Sequence, residues 1–365
     1  MKIQPYAATA KLCAAGGSAW VRSALILGAW LAGMATALAG EMQPLMVQRG
    51  ACWLDESFAG GLDTNKWKAL IGAWKVEDGA LVGNERPEDH HSAAIKTPFS
   101  NITAVAQFSF MIKGDSRFHF SLNDAGGHNS YILVRPDALI MYKNADRKNP
   151  RTYAPILDET GAALALDTWH TMSVELSGAE MLARVDDTLF ICGAHPGIDK
   201  AKADLVFAVT GTVLFDNVKL WSGTPGADWA AAKSKLLARQ AARPMLDRSG
   251  NLQEAYAAAE VKVRDRLMKS DEKFSALVDV RACAMEALAK AFPVVNRKGA
   301  KADAEKKRLA QEDAKYKQLQ KDVQAAQKNE RDYLLAQAPE VKTIWMALLA
   351  ANQAKAKAAA AAQKK

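Results

Sequence analysis

Histidine and carboxylate side chains recur in two polar segments of the sequence. The first segment holds Glu85, Asp89 and His91, and the second holds Asp124 and His128. A histidine beside a carboxylate can transfer protons near neutral pH, and the same groups can bind a divalent metal ion. The sequence has no compact metal motif such as His-Glu-x-x-His. These five residues are candidate catalytic residues or metal ligands, and the alternative is that they are ordinary exposed loop residues.

A second set of residues has the chemistry that binds sugars. The apolar face of a pyranose packs on aromatic rings, while polar side chains bind its hydroxyl groups. The candidate substrate-binding residues are His119, Tyr131, Arg135, Tyr142 and Lys143. Further candidates are Trp53, Trp67, Asn123 and Tyr153. For each ring, the alternative is packing in the core or on the surface.

Short segments with alternating apolar and polar residues must position these side chains. Asp78-Gly79 predicts a tight hairpin between residues 74–77 and 80–82, because this pair adopts the positive φ angles of such turns. Many short strands without helical periodicity indicate a β-sandwich or jelly roll. We therefore predict an all-β antiparallel sandwich over residues 50–222, with about ten strands. Those strands include 104–112, 118–122, 205–209 and 213–221.

Four stretches of this domain resemble landmarks of the 3-keto-disaccharide hydrolase domain family. They are Phe58–Trp67, Trp74–Gly83, Asp167–Glu175 and Val213–Trp221. The resemblance implies a concanavalin A-like jelly roll, which is also the fold of laminin G domains and family 16 glycoside hydrolases. It further implies cleavage of the glycosidic bond of a disaccharide or its 3-keto form.

Two departures from these families concern catalysis. The Glu-x-Asp-x-x-Glu strand that supplies the acid and the nucleophile of family 16 enzymes is absent from the sequence. The Asn-Ser-Gly-Ile stretch expected in the hydrolase family is replaced by Gly127–Ile132. The sequence therefore favours a lectin-like protein that binds a saccharide or a cell-envelope glycan. Hydrolysis of a disaccharide and a purely structural role in the envelope are the alternatives.

Residues 1–39 have the pattern of a signal peptide. Lys2, Lys11 and Arg22 precede an apolar run that ends in Ala37-Leu38-Ala39, and this order is typical of cleavable leaders. A retained signal anchor is the alternative, although a membrane span needs about 20 apolar residues. We predict cleavage after Ala39 and a secreted or periplasmic protein.

Export bears on two further expectations. In an oxidising compartment Cys52 and Cys192 can form a disulfide, and the alternative is that both are buried free thiols. Nucleic acid is not an expected partner, because export separates the protein from it and no recognition motif is visible.

The chain after residue 226 differs in charge. Residues 226–365 carry 28 Lys and Arg but 17 Asp and Glu, whereas residues 40–225 carry 17 and 23. Basic and acidic residues alternate along much of this region, which is typical of a solvated helix surface. Attraction to an anionic polymer or to lipid headgroups is the alternative.

Apolar residues spaced three and four apart predict helices in this basic region, which we place at residues 227–349. Two long helices are expected at 252–288 and 302–338, with a short third at 341–349. The two long helices would form an antiparallel hairpin, a coiled-coil-like unit suited to self-association. The Ala- and Lys-rich stretch 350–365 lacks an apolar stripe and is expected to be disordered.

Overall fold

The computed structural model describes residues 41–146, 149–297 and 300–362. The predicted signal peptide lies outside the described residues. Thirteen strands precede six helices along the described chain. The strands are β1 (Val47–Glu56), β2 (Lys68–Ile71), β3 (Ala73–Glu77), β4 (Ala80–Asn84), β5 (Ala93–Pro98), β6 (Ala104–Asp124), β7 (Gly127–Arg135), β8 (Ala138–Lys143), β9 (Ile156–Gly161), β10 (His170–Ser177), β11 (Glu180–Val185), β12 (Leu189–Ala194) and β13 (Lys202–Pro225). The helices are α1 (Trp229–Gln240), α2 (Leu252–Ser270), α3 (Glu272–Ala291), α4 (Ala300–Glu312), α5 (Ala314–Gln337) and α6 (Pro339–Ala362).

One antiparallel sheet contains all the described strands, and it folds over on itself. The long strands β6 and β13 pair along their whole length, from Ala104 opposite Ser222 to Asp124 opposite Lys202. The first layer runs β12, β11, β10, β6 and β13, with β4, β3 and β1 beyond β13. The second layer runs β9, β8, β7, β6, β13, β5 and β2. The predicted antiparallel jelly-roll sandwich is confirmed, and its strands extend from residue 47 to residue 225.

A crease crosses β6 and β13 where the sheet folds. Gly114 and Gly211 lie at the crease with φ angles of 55° and 77°, in the left-handed region that glycine adopts without steric cost. The N–H of Thr212 donates to the Ser116 hydroxyl at 2.8 Å and ties the two bent strands together.

The crease turns the two halves of each long strand toward one another. The rings of Phe108 and Phe120, both on β6, stack at 5.6 Å, and those of Phe207 and Phe215, both on β13, stack at 4.2 Å. The expectation of separate strands at 104–112 and 118–122, and at 205–209 and 213–221, is therefore wrong. Each pair is one bent strand, because pairing between β6 and β13 resumes after an irregularity at the glycines, with Thr210 opposite Arg117 and Thr212 opposite Lys113.

Replacing Gly211 by alanine is expected to destabilise the sandwich by about 2 to 5 kcal/mol. The left-handed backbone costs roughly 1–2 kcal/mol for a side-chain-bearing residue. A Cβ atom would also lie 2.3 Å from the Ser116 hydroxyl, and overpacking adds about 1–3 kcal/mol. Gly79→Ala is the matched control, because Gly79 has a φ of 76° but nothing within 4 Å of its Cβ position. Chemical denaturation measures both changes, and equal losses would contradict the steric role of the crease.

The hairpin predicted at Asp78-Gly79 is confirmed. The φ angle of Asp78 is 50°, and β3 pairs with β4 from Ala73 opposite Asn84 to Glu77 opposite Ala80.

The outer face of the first layer is covered by the segment before β1 and by α1. Glu175 on β10 is fully buried, and its carboxylate accepts N–H bonds from Leu45, Met46 and Val47 at 2.6 to 3.0 Å. On the same face, Leu236 of α1 packs with residues of β6, β11, β12 and β13. This face is therefore closed to a large ligand where these elements lie on it.

The helices differ from the prediction in their breaks and in their end. The long helix expected at 252–288 is divided into α2 and α3 at Asp271, whose carboxylate accepts the Phe274 N–H at 2.9 Å and so caps α3. Asp313 caps α5 in the same way through Tyr316, at 2.8 Å. The stretch expected to be disordered is helical through Ala362, because alanine has the highest helix propensity.

Helices α2, α3, α5 and α6 pack around an apolar core of their own. Helix α3 packs along α5, and α2 contacts α6. Within this group Glu330 is buried between Arg264 and Arg281, with 2.6 Å from its Oε2 to Nε of Arg281. No helix in the described part of the chain is long and apolar enough to span a membrane.

The cysteines of the described chain are free thiols. Cys52 is exposed, whereas Cys192 is half-buried. Burial raises the pKa of the Cys192 thiol to about 11. Cys52 and Cys192 therefore do not form the possible disulfide. The alternative of two buried free thiols holds only in part, because Cys52 is exposed.

Candidate functional site

The outer face of the second layer carries a band of polar and aromatic side chains, which we call the polar face. Successive residues of a strand point to opposite faces of the sheet. Phe118, Phe120 and Leu122 of β6 are fully buried in the core, so the residues between them point outward. The polar face consists of Lys96 (β5), His119, Ser121 and Asn123 (β6), Tyr131 (β7), Tyr142 (β8) and Asp204 (β13).

Three rings form a continuous row on the polar face. The ring centroids of His119 and Tyr131 are 5.0 Å apart, and those of Tyr131 and Tyr142 are 4.6 Å apart with 14° between their planes. Tyr131 and Tyr142 are directly opposite one another on paired strands. Their stacked rings therefore stand upright on the sheet with their faces toward each other. The row therefore crosses three neighbouring strands.

The protonation states of this row are set by burial. Burial, with a smaller contribution from the positive charge of Arg117, lowers the pKa of His119 to about 4. Burial raises the pKa of Tyr131, with a smaller contribution from Tyr142, whose own pKa burial also raises. At neutral pH the imidazole is uncharged and both phenols are protonated, so each group can donate and accept a hydrogen bond.

A hydrogen-bonded polar group lies beside the ring row. Asn123 Nδ2 donates to Asp204 Oδ1 at 2.6 Å, and Lys96 Nζ donates to Asp204 Oδ2 at 2.9 Å. Nδ1 of His128 lies 2.9 Å from Asn123 Oδ1. Both oxygens of the Asp204 carboxylate are engaged, so this residue orients its neighbours and is poorly placed to act as a nucleophile.

The five candidate catalytic residues lie in two separate places. His91 precedes Ala93, which pairs with Val209 of β13, whereas Asp124 pairs with Lys202. The two partners, Val209 and Lys202, are seven positions apart on β13. This separation corresponds to about 23 Å along a strand. The structure therefore does not bring the two groups together.

The three residues of the first group have local contacts at the crease end of the second layer. The N–H of Glu85 donates to the carbonyl of Gly211 at 3.0 Å, and its carboxylate accepts the Gly211 N–H at 3.3 Å. Asp89 accepts the N–H of Gly72 at 3.0 Å. His91 is exposed. These contacts are those of residues that fix turns.

Asp124 is the last residue of β6 and His128 is the second residue of β7, on either side of the turn that joins these strands. Burial alone would raise the pKa of Asp124, but hydrogen bonds from the Asn129 side chain and the Gly126 N–H outweigh burial and lower it. Asp124 is thus a poor general acid at neutral pH. Within residues 41–146, 149–297 and 300–362, no three His, Cys, Asp or Glu side chains form a group that could hold a metal ion.

The predicted substrate-binding residues divide differently. His119, Tyr131 and Tyr142 form the ring row. Arg135 pairs with Glu254 of α2 at 2.6 Å, so it attaches a helix to the sandwich. Lys143 lies at the end of β8, outside the polar face.

The other candidate rings differ in exposure. Trp67 is buried in the core, Trp53 is exposed, and Tyr153 is half-buried.

Lys96 and Asp204 belong to the polar face but were not among the candidates. The position of Asp204 could have been predicted from the alternation on β13. Leu205 and Phe207 are fully buried, so Asp204 lies on the other face. The position of Lys96 depends on strand register. Lys96 pairs with Val206, which lies between Leu205 and Phe207 and therefore faces outward.

Comparison with known proteins gives likeness of fold only. No protein-family model and no curated protein matches the chain. Among solved structures, the chain is similar to carbohydrate-binding module CBM66 from Bacillus subtilis at 17% identity and a TM-score of 0.35, over 43% of this chain and 96% of that one.

Two further structures have a comparable likeness. A protein of unknown function with a galectin-like fold from Bacillus subtilis has 11% identity and a TM-score of 0.38, over 49% of this chain and 99% of its own. A non-specific endo-β-1,3(4)-glucanase of family 16 has 14% identity and a TM-score of 0.38, over 48% and 95%. Scores this low carry no argument about function, and the fold assignment rests on the strand pairing described above.

Proposed function

We propose that this chain is an exported saccharide-binding protein and that the polar face is its binding surface. The observation that carries the proposal is the continuous row of His119, Tyr131 and Tyr142 beside the group formed by Asn123, Asp204 and Lys96. These side chains are partly exposed, so a ligand can reach them while the sheet holds them in place.

The chemistry of the polar face suits a sugar. Sugar hydroxyls donate and accept hydrogen bonds, and neutral His119 and protonated Tyr131 and Tyr142 do the same. The Asn123 amide and the Lys96 ammonium add groups whose orientation Asp204 fixes. Such preorganisation lowers the entropic cost of binding.

Binding is favoured over hydrolysis by the placement of the carboxylates. Glycosidases use two carboxyl groups about 5 to 9.5 Å apart. Asp124 lies roughly 23 Å along β13 from the group that holds Glu85 and Asp89. The carboxylates of Glu85 and Asp89 in turn accept the N–H groups of Gly211 and Gly72. Both oxygens of Asp204 are already engaged. Hydrolysis of a disaccharide or 3-keto-disaccharide remains the alternative that the resemblance in sequence suggests.

Export is the part of the proposal that rests on the leader pattern. Amino-terminal sequencing of the protein recovered outside the cytoplasm is expected to begin at Gly40. A chain that retains Met1 in that fraction would favour the signal anchor instead. We also propose that the helices self-associate, which light scattering of the full chain tests.

A glycan array followed by titration tests the polar face. The wild-type chain is expected to bind a defined saccharide, and His119→Ala or Tyr131→Ala is expected to weaken that binding at least about tenfold, as truncation of a central binding residue does. Trp169→Ala is the control, because this exposed ring precedes β10, away from the polar face.

The same samples decide between binding and turnover. Bound saccharide recovered intact, analysed by chromatography, supports binding, whereas cleaved product supports the hydrolase alternative. Undiminished affinity in both polar-face variants, with loss in Trp169→Ala, would place the binding surface elsewhere.

A further inference from the structure

A cavity lies at the end of the sandwich, next to the end of β8. It has a volume of about 480 Å³, which is within the range of small-ligand sites. The residues that give it its character are Lys143, Arg151, Tyr153, His195, Lys200 and Met268. We call this cavity the loop cleft. It is separate from the polar face and is not used by the function proposed above.

Positive charge is concentrated in the loop cleft. Burial lowers the pKa of Lys143, and the neighbouring Lys200 lowers it further. The pKa of His195 is lowered by burial and then by Lys143. Lys143 and Lys200 are therefore close enough to repel one another, and Lys143 disfavours protonation of His195.

Carboxylates neutralise these cations only in part: Asp124 and Asp146 raise the pKa of Lys143, but each acts less strongly than burial and Lys200, which lower it. The Lys143 ammonium donates to the backbone carbonyl of Asn144 at 2.7 Å. Asp146 is the carboxylate that lines the loop cleft together with these groups in the described part of the chain. The Arg151 guanidinium also lines the cleft but is already paired with Asp279 and Glu286 of α3, at 2.7 and 2.8 Å. The cleft thus has an excess of positive charge at Lys143 and Lys200.

Buried Lys202 adds a third ammonium group within electrostatic range of Lys143 and Lys200. Its ammonium donates to the carbonyls of Ile198 and Lys200 at 2.6 and 2.7 Å. Burial lowers the pKa of Lys202 to about 8, even though Asp124 and Asp199 act in the opposite direction. An anion bound in the cleft would therefore favour the protonated form of Lys202.

An aromatic wall completes the loop cleft. The Tyr153 hydroxyl donates to Asp265 Oδ1 of α2 at 2.6 Å, which fixes the ring where it lines the cavity. Met268 contributes an apolar side chain beside it. A ring platform next to two lysines matches a ligand that has both an apolar face and an anionic group.

We infer that the loop cleft binds an acidic sugar, with its anionic oxygen group between Lys143 and Lys200 and its ring against Tyr153. The shared chemistry is an anionic oxygen group on a pyranose, and a uronate carboxylate and a sugar phosphate both supply it.

Calorimetric titration of the full chain with three probes tests this inference. Glucuronic acid and glucose 6-phosphate differ from glucose in the anionic group. At least one of the two acids is expected to bind more than tenfold tighter than glucose, and the tighter one identifies the source of the charge. The affinity is also expected to fall as salt is raised, because the attraction is electrostatic.

Variants locate the binding. The double change Lys143→Gln and Lys200→Gln is expected to weaken binding of the acid more than tenfold, while Lys321→Gln, an exposed lysine of α5, leaves it unchanged. Circular dichroism of the double variant checks that it is folded.

Three outcomes would overturn the inference. These are absence of binding by both acids, equal affinity for glucose, and full affinity in the folded double variant. His119→Ala is expected to keep its affinity for the acid, so failure of the loop cleft and failure of the polar face are distinguishable. Loss of acid binding in His119→Ala alone would assign the acid to the polar face.

Discussion

Replacing Glu330 by glutamine is expected to lower the free energy of unfolding of the helical region by about 3 to 5 kcal/mol. Glu330 is 1% exposed and its carboxylate lies between Arg264 and Arg281. The variant would leave two largely buried guanidinium groups facing an uncharged amide. An uncompensated buried charge costs far more than an exposed ion pair contributes.

Asp332→Asn is the matched control for this change. Asp332 lies two residues away on α5 and pairs with Lys328 on the surface, so its loss is expected to cost less than about 1 kcal/mol. Thermal unfolding followed by circular dichroism at the helix band compares the two variants. Similar losses would mean that Glu330 does not hold the helices together.

The change Glu175→Gln is expected to cost about 3 kcal/mol and to release the segment before β1. Each hydrogen bond to a charged group contributes about 1.5–3 kcal/mol, and Glu175 accepts three of them from Leu45, Met46 and Val47. The amide nitrogen of glutamine would face N–H donors in place of a carboxylate oxygen. Arg184, which lies 3.4 Å from Glu175, would lose its buried partner.

Limited proteolysis near Arg49 reads out this release, and chemical denaturation gives the loss of stability. Glu77→Gln is the control, because Glu77 forms an exposed pair with Lys75. If the segment resists proteolysis in Glu175→Gln as well as it does in the wild type, the apolar contacts of Met46 and Val47 are sufficient to hold it.

Local patterns predicted the strands but not the way the sheet folds. The Asp78-Gly79 hairpin followed from two neighbouring residues, because a tight turn depends only on local φ angles. The bend in β6 did not follow, since an interruption at Gly114 reads as a turn. Its continuity depends on pairing with β13, about a hundred residues later in the chain.

The candidate site shows the same division. The outward orientation of His119, Tyr131 and Tyr142 follows from alternation, but their contact depends on the registers of β6 with β7 and of β7 with β8. Glu85 and Asp124 were both candidate catalytic residues. They lie at opposite ends of the second layer, because the connection from β4 to β5 is at the crease.

Helix boundaries were limited by capping. The apolar stripe through residues 252–288 is continuous in sequence, but Asp271 offers the α3 backbone a better partner than a continued helix would. From residue 350 to Ala362, alanine propensity maintains α6 without an apolar stripe.

The attachment of the helices to β9 has a consequence for solubility. β9 is the outermost strand of its layer, and an uncovered outer strand invites pairing with another chain. Arg243 binds Asp158, Arg248 binds Glu159, and the Pro244 carbonyl accepts the Gly161 N–H at 2.8 Å. The residues that follow the sandwich thus cover the edge strand and oppose edge-to-edge aggregation. A chain ending at residue 222 would lose this cover together with its helices.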